Sequence, residues 1–203
     1  MQPEEPRVPP RVSEEQWCLV RQEAVVMSTI MRQNVRFNGA SKVVGEHRLL
    51  KGFVDIRRRL SPDDGAHAAI APFLEVVKSA DTTSTESAAA LQSLSLLVDR
   101  GVVKGGKELR EVVDGALGCQ FQQSDVTVDD VVISRMFELL VKCFESPASS
   151  ELDGDLVVET VRLVMKASLE IRFTEALRMN AEISLSRMIS CICTRLSQLV
   201  GEE

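Results

Sequence analysis

The run Gly101-Val-Val-Lys-Gly-Gly106-Lys107 spells the G-x-x-x-x-G-K core of a phosphate-binding loop. In such a loop, backbone amides cradle phosphate oxygens and the lysine neutralises their charge. The next residue argues against that chemistry. Glu108 stands where the motif needs a Ser or Thr hydroxyl for magnesium, and a carboxylate there repels phosphate. The preceding stretch, Ser87 to Arg100, also has helical rather than strand spacing. The run therefore reads as a glycine-rich turn between helices, with Gly101 closing the first. The two histidines, His47 and His67, fall in different elements with no metal-ligand spacing between them. Cys191 and Cys193 form a C-x-C, but residues two apart on a helix point about 200° apart, so both thiols do not face one ion; they read as small core-lining residues. No catalytic, cofactor or metal residue is expected.

Composition narrows the reading further. The chain has 203 residues and a formal net charge of -6, enough for one domain with a substantial core. Aromatics make up 4%, with no Tyr and one Trp, which leaves little to stack on bases or flat ligands. The one dense basic run, Arg57-Arg58-Arg59, lies in a helix-like stretch and reads as a solvated helix end. No nucleic-acid partner is expected. The five cysteines are odd in number and lie mostly in apolar runs, which fits reduced, buried thiols of the cytosol. No apolar run reaches the roughly 20 residues of a membrane span. The start Met-Gln-Pro-Glu-Glu-Pro lacks the basic and apolar parts of a signal peptide, and Gln2 excludes N-myristoylation.

The elements that must hold these residues read as helices throughout. Residues 1–12, with four prolines, read as a disordered lead, and 13–203 as a single helical domain. Ser13 with Gln16 forms a capping box for a first helix. Its apolar positions Trp17, Val20, Ala24, Met27, Ile30 and Met31 share one face, and Asn38-Gly39 ends it. A second helix is expected from about Gly45 to Leu60, then a turn at Ser61-Pro62-Asp63-Asp64-Gly65. Pro72 is expected in the first turn of a short third helix ending at Val77. The Asp81-to-Ser84 run caps a fourth helix ending near Gly101, and a fifth spans Gly106 to Leu117. Gln122 to Val128 reads as a loop. Asp129 and Asp130 then open a sixth helix that is apolar nearly all round and stops at Ser146-Pro147. A seventh helix spans about Asp155 to Leu169. The eighth, Thr174 to Val200, carries the seam Leu177, Ala181, Leu185, Met188, Ile192, Leu196 and Leu199. Short links between seven to eight helices give antiparallel neighbours, closed into a bundle or stacked as an armadillo- or HEAT-like α-solenoid.

One helix face stands out. On the fourth helix Ser87, Leu91, Leu94, Leu97 and Val98 form the core side, and Ala89, Gln92, Ser93, Leu96 and Arg100 the opposite one. A lightly charged stripe around a leucine is a candidate partner or dimer surface, or else a seat for another helix of the same domain.

Four stretches together resemble one family. They are Met31-Arg-Gln-Asn34-Val-Arg36-Phe37, then Pro72-Phe73-Leu74-Glu75-Val76-Val77-Lys78-Ser79 with Asp81-Thr82-Thr83, then Phe121 with Ser124-Asp125 and Asp129-Asp130-Val131-Val132, and Leu177-Arg178-Met179-Asn180-Ala181-Glu182. In this order they resemble the N-terminal dimerisation and cyclophilin-binding domain of large Golgi-type Arf guanine-nucleotide exchange factors. The resemblance runs from about Gln16 to Leu199. It departs at Phe37 (usually Trp), Ser84-Thr85 (usually Gly-Pro) and Val126 (usually Pro). It implies an armadillo-type solenoid with a regulatory, non-catalytic role in the cytoplasm and on Golgi or other endomembranes. It further implies homodimerisation, contact with a downstream homology region of the parent chain, cyclophilin or small-GTPase partners, and membrane contact only through others. Asp129 and Asp130 match an acidic pair of the family motif. They serve the helix N-terminus, an interface, or both. The alternative is a helical-repeat scaffold unrelated to Arf exchange.

Overall fold

The computed structural model describes residues 11–37, 48–123 and 125–201. These residues form eight α-helices: α1 Glu14–Phe37, α2 Arg48–Arg58, α3 Gly65–Lys78, α4 Ser84–Asp99, α5 Gly106–Leu117, α6 Val126–Glu145, α7 Gly154–Ser168 and α8 Glu175–Gly201. Short 3-10 turns at Pro62–Asp64 and Pro147–Glu151 fill two connections.

The helices stack in two rows. α1, α4, α6 and α8 lie side by side in one, and α2, α3, α5 and α7 in the other. Between the rows α1 packs on α2, α3 on α4, α5 on α6 and α7 on α8. This is the two-layer order of a helical-repeat solenoid. Ser84 at the start of α4 bonds Asp129 at the start of α6, and Asp99 at the end of α4 pairs with Lys142 near the end of α6. α4 and α6 therefore run parallel, while consecutive helices reverse.

Local chemistry sets most boundaries. Ser13 and Gln16 bond each other's backbone amides, at 3.0 and 3.2 Å. The Gln16 amide group also donates to the carbonyls of Arg100 and Gly101, at 2.9 and 2.8 Å. One side chain thus caps the start of α1 and the end of α4. Val12 and Trp17, the residues flanking such a cap in a hydrophobic staple, are both buried. The core consequently begins at Val12, inside the stretch expected as a lead; residues 1–10 lie outside the described residues. Thr83 and Glu86 form a second capping box at α4. Gly101 takes φ +66° after α4, the left-handed conformation expected of a helix-ending glycine.

Two expected boundaries are corrected. α3 begins at Gly65, not at Pro72, which sits in its interior. Ala66, Ala68, Ala69 and Ala71 carry the helix through the proline, although Ala68 loses its amide partner there. α6 begins at Val126, inside the expected loop, because the Asp125 carboxylate accepts from the Thr127 amide at 2.8 Å and hydroxyl at 2.6 Å. Those bonds, the hydroxyl's first, hold Asp125 below the usual carboxylate range. The expected end at Asn38-Gly39, the start at Gly45 and the position of His47 lie outside the described residues.

The core runs the length of the stack. Trp17, Phe53, Phe73, Phe137 and Phe144 are its largest fully buried side chains. α6 packs on α4, α5 and α8, as a helix apolar nearly all round requires. The α8 seam is buried at Leu177, Ala181 and Met188, but Leu196 is 55% exposed.

Candidate interaction surface

The outer stripe expected on α4 is divided by α1. Ser93 is buried, and its hydroxyl donates to Glu23 of α1 at 2.6 Å. Ala89 and Leu96 are half-buried, while Gln92 and Arg100 are exposed. What remains open is the line Gln92, Leu96, Arg100, four residues apart and so on one flank of the helix. Ser93 belongs to the α1–α4 contact and is corrected out of the outward face. Nothing local marks it, because its burial depends on a helix some seventy residues earlier.

The acidic pair at the start of α6 reaches two ways. Asp129 accepts from the Ser84 hydroxyl at 2.6 Å, and Asp130 from the Thr174 hydroxyl at 2.6 Å. The pair ties α6 to the beginnings of α4 and α8. Ser84, where the family motif usually has Gly, supplies one of those bonds. Beside the pair, Val126 and Val131 are 65% and 47% exposed.

Further exposed apolar side chains lie on the last two helices and are not flagged by sequence reading. Val158 and Met165 are exposed along the outer flank of α7 and Leu169 just past its end, Met179 and Ile183 along that of α8, with Ile171 between the helices 85% exposed. The spacing 158, 165, 169 is helical and legible. It was masked by α7 also having a buried face at Leu156, Thr160 and Val164, which satisfies a one-sided reading.

The phosphate-loop look-alike is filled from within. Gly105 caps α5, and the Gly106 amide donates to Glu151 at 3.1 Å. Glu108 folds back against Gly105. Two carboxylates thus occupy the place an anion would need. His67 is exposed and bonds Glu111 at 2.7 Å, in a groove of about 520 Å3 lined also by Arg48, Leu74 and Lys78. No group of three or more His, Cys, Asp or Glu able to hold a metal occurs among the described residues. No helix of the described residues is long and apolar enough to cross a membrane.

The cysteines are all free, but only Cys143 is fully buried. Cys18 and Cys193 are exposed, which corrects the expectation that the C-x-C lines the core. The other thiol of that motif, Cys191, is half-buried. Burial pushes the Cys119 thiol up to about 11 and Cys143 higher still. At neutral pH iodoacetamide is therefore expected to label Cys18 and Cys193 in the native protein and Cys119 and Cys143 only after unfolding, as counted by intact mass and peptide mapping. Early labelling of Cys143 would contradict the packing of α6.

The two-row stack defines an all-α helical-repeat protein with apolar side chains left on its outer faces. No family model matches the chain. Over 92% of its length it is 25% identical to the ARF guanine-nucleotide exchange factor GNOM of Arabidopsis thaliana. Over 88% it is 24% identical to the ARF guanine-nucleotide exchange factor GNL1 of the same plant. Over 76% it is 24% identical to the Golgi-specific brefeldin A-resistance guanine nucleotide exchange factor 1 homolog of Caenorhabditis elegans. The resemblance to large Arf exchange factors thus extends over most of the chain, consistent with an N-terminal dimerisation and cyclophilin-binding type of region. The chain spans 14%, 13% and 8% of the lengths of these three relatives.

Proposed function

We propose that this chain is a regulatory interaction module of an Arf guanine-nucleotide exchange factor and performs no exchange chemistry itself. The similarity to such factors over most of the chain carries the reading. The exposed apolar flanks of α7 and α8 support it physically. The end repeat of a solenoid needs a polar outer face to remain in water, and an apolar one fits further helices of a parent chain, such as the downstream homology region. The open line on α4, with Asp129 and Asp130, is the surface we assign to self-association. Cyclophilin or a small GTPase are further partners of the module, and its place of work is the cytoplasmic side of Golgi membranes, where it supports recruitment and vesicle traffic.

The test is the solution mass of the chain over a concentration series, by sedimentation. A mass approaching twice 22.4 kDa is expected. Leu96→Asp places a charge in the middle of the α4 line and is expected to weaken association by about 100-fold or more, as for a central interface residue. A monomer at every concentration would remove the dimerisation reading. An unchanged dimer in Leu96→Asp would move it off α4.

A further inference from the structure

Charge is segregated in this chain. Residues 48–59 hold Arg48, Lys51, Arg57, Arg58 and Arg59 against one acid, Asp55. The segment is net +4, and all other residues together are net -10. All five basic side chains are exposed. At 100° per residue, Arg48, Lys51 and Arg58 fall opposite the buried Leu49, Leu50, Phe53 and Ile56; Arg57 falls on the side of Leu50 and Phe53, and is exposed because it lies, with Arg59, at the helix end. Among the described residues only Arg59 of the five has an ion-pair partner, Asp55 at 3.3 Å. Asp63 pairs with Arg11 at 3.7 Å, and Asp64 accepts from the Ser61 amide at 2.7 Å, whereas Glu75, Asp81 and Glu111 share a groove with Arg48 at the start of α2, so the uncompensated charge lies toward the Arg57–Arg59 end. α2 stands at the end of its row, with α1 and α3 as its principal neighbours, so among the described residues no other helix covers its basic side.

We propose that the basic flank and the Arg57–Arg59 end of α2 dock on the surface of an anionic phospholipid bilayer. This stands on charge and exposure alone and does not depend on the family reading, which implies only indirect membrane contact. Four to eight clustered basic residues are the density at which anionic leaflets attract a protein surface. The charges are separate points along one helix side and at its end, which suits a plane of headgroups. It lacks what single-stranded nucleic acid would need, since the one aromatic of α2, Phe53, is 0% exposed. The apolar side of α2 is spent on the core, so the contact is electrostatic and does not insert.

The experiment is co-sedimentation of the chain with vesicles of phosphatidylcholine alone, or of phosphatidylcholine and phosphatidylserine in a ratio of roughly two to one. Binding is expected only to the serine-containing vesicles, and it should fall as salt shortens the screening length. Each basic residue near such a surface is worth about a fivefold change, so Arg57→Gln with Arg58→Gln is expected to lower partition by about 30-fold. Both side chains are exposed, and a melting curve establishes that the variant folds. Arg135→Gln with Arg162→Gln, the same charge change on α6 and α7, should bind like the parent. Four outcomes would overturn the proposal: no binding to serine-containing vesicles; equal binding to neutral ones, which would point to the apolar α7–α8 end; an Arg57/Arg58 variant that binds unchanged; or tighter binding to single-stranded RNA than to vesicles at equal phosphate concentration.

Discussion

Phe73→Ala is expected to lower stability by about 3–5 kcal/mol, the range for emptying a fully buried phenylalanine site. Phe73 is 0% exposed, and its ring meets Phe53 edge-on, with centroids 5.0 Å apart and planes at 76°. Such a pair adds about 0.5–1.5 kcal/mol beyond the area it buries. Phe53 is one of the four buried residues of α2, so the change weakens the hold of α3 on the helix that carries the basic flank. Domains have about 5–15 kcal/mol in all, so the loss is a large share. Urea unfolding would read it as a lower midpoint at unchanged slope. A loss below about 1 kcal/mol would mean that the α2–α3 seam is not tightly packed.

Gly52→Val should cost about 3 kcal/mol, although helix propensity alone favours replacing a glycine inside a helix. A Cβ at Gly52 would lie 2.8 Å from Cβ and 3.0 Å from Cγ of Pro72. The pyrrolidine ring is rigid and fixed in α3, so α2 must lift away. Gly154, with nothing within 4 Å of its would-be Cβ, is the control, and Gly154→Ala should gain about 0.5 kcal/mol. The opposite signs, read by thermal or urea unfolding, separate close approach from propensity. A stabilised Gly52→Val would refute the contact.

The same contact explains a boundary that sequence misplaced. Pro72 is a helix-start residue by its own chemistry, and the first-turn assignment followed from that. The alanines before it and the groove at Gly52 let α3 carry it in the interior instead. Helix starts with a capping pair close in sequence, such as Ser13 with Gln16 and Thr83 with Glu86, were legible because both partners lie within one turn. The start of α5 at Gly106 was legible from its glycines. Asp125 reads as loop in sequence because the following Val-Thr-Val run lacks an apolar helical rhythm. The core faces of α1 and α4 were legible from spacing. The covering of Ser93 was not, because a serine says nothing of the distant carboxylate that will meet it. Glu151 reaching the Gly106 amide was hidden for the same reason. The outer flanks of α7 and α8 were hidden differently: two apolar faces on one helix read as a single thick core face until the neighbours are counted.

The two-row stack has one more consequence, for how the chain comes to be folded. Its principal contacts join helices no more than three apart in chain order, and none brings the first helix to the last. No large loop has to close before stabilising contacts form. A polypeptide emerging from a ribosome could therefore settle α1 to α4 against one another while α6 is still unmade. Each later pair would then find a finished surface waiting, and of these eight helices α8 would be the last to lose its freedom.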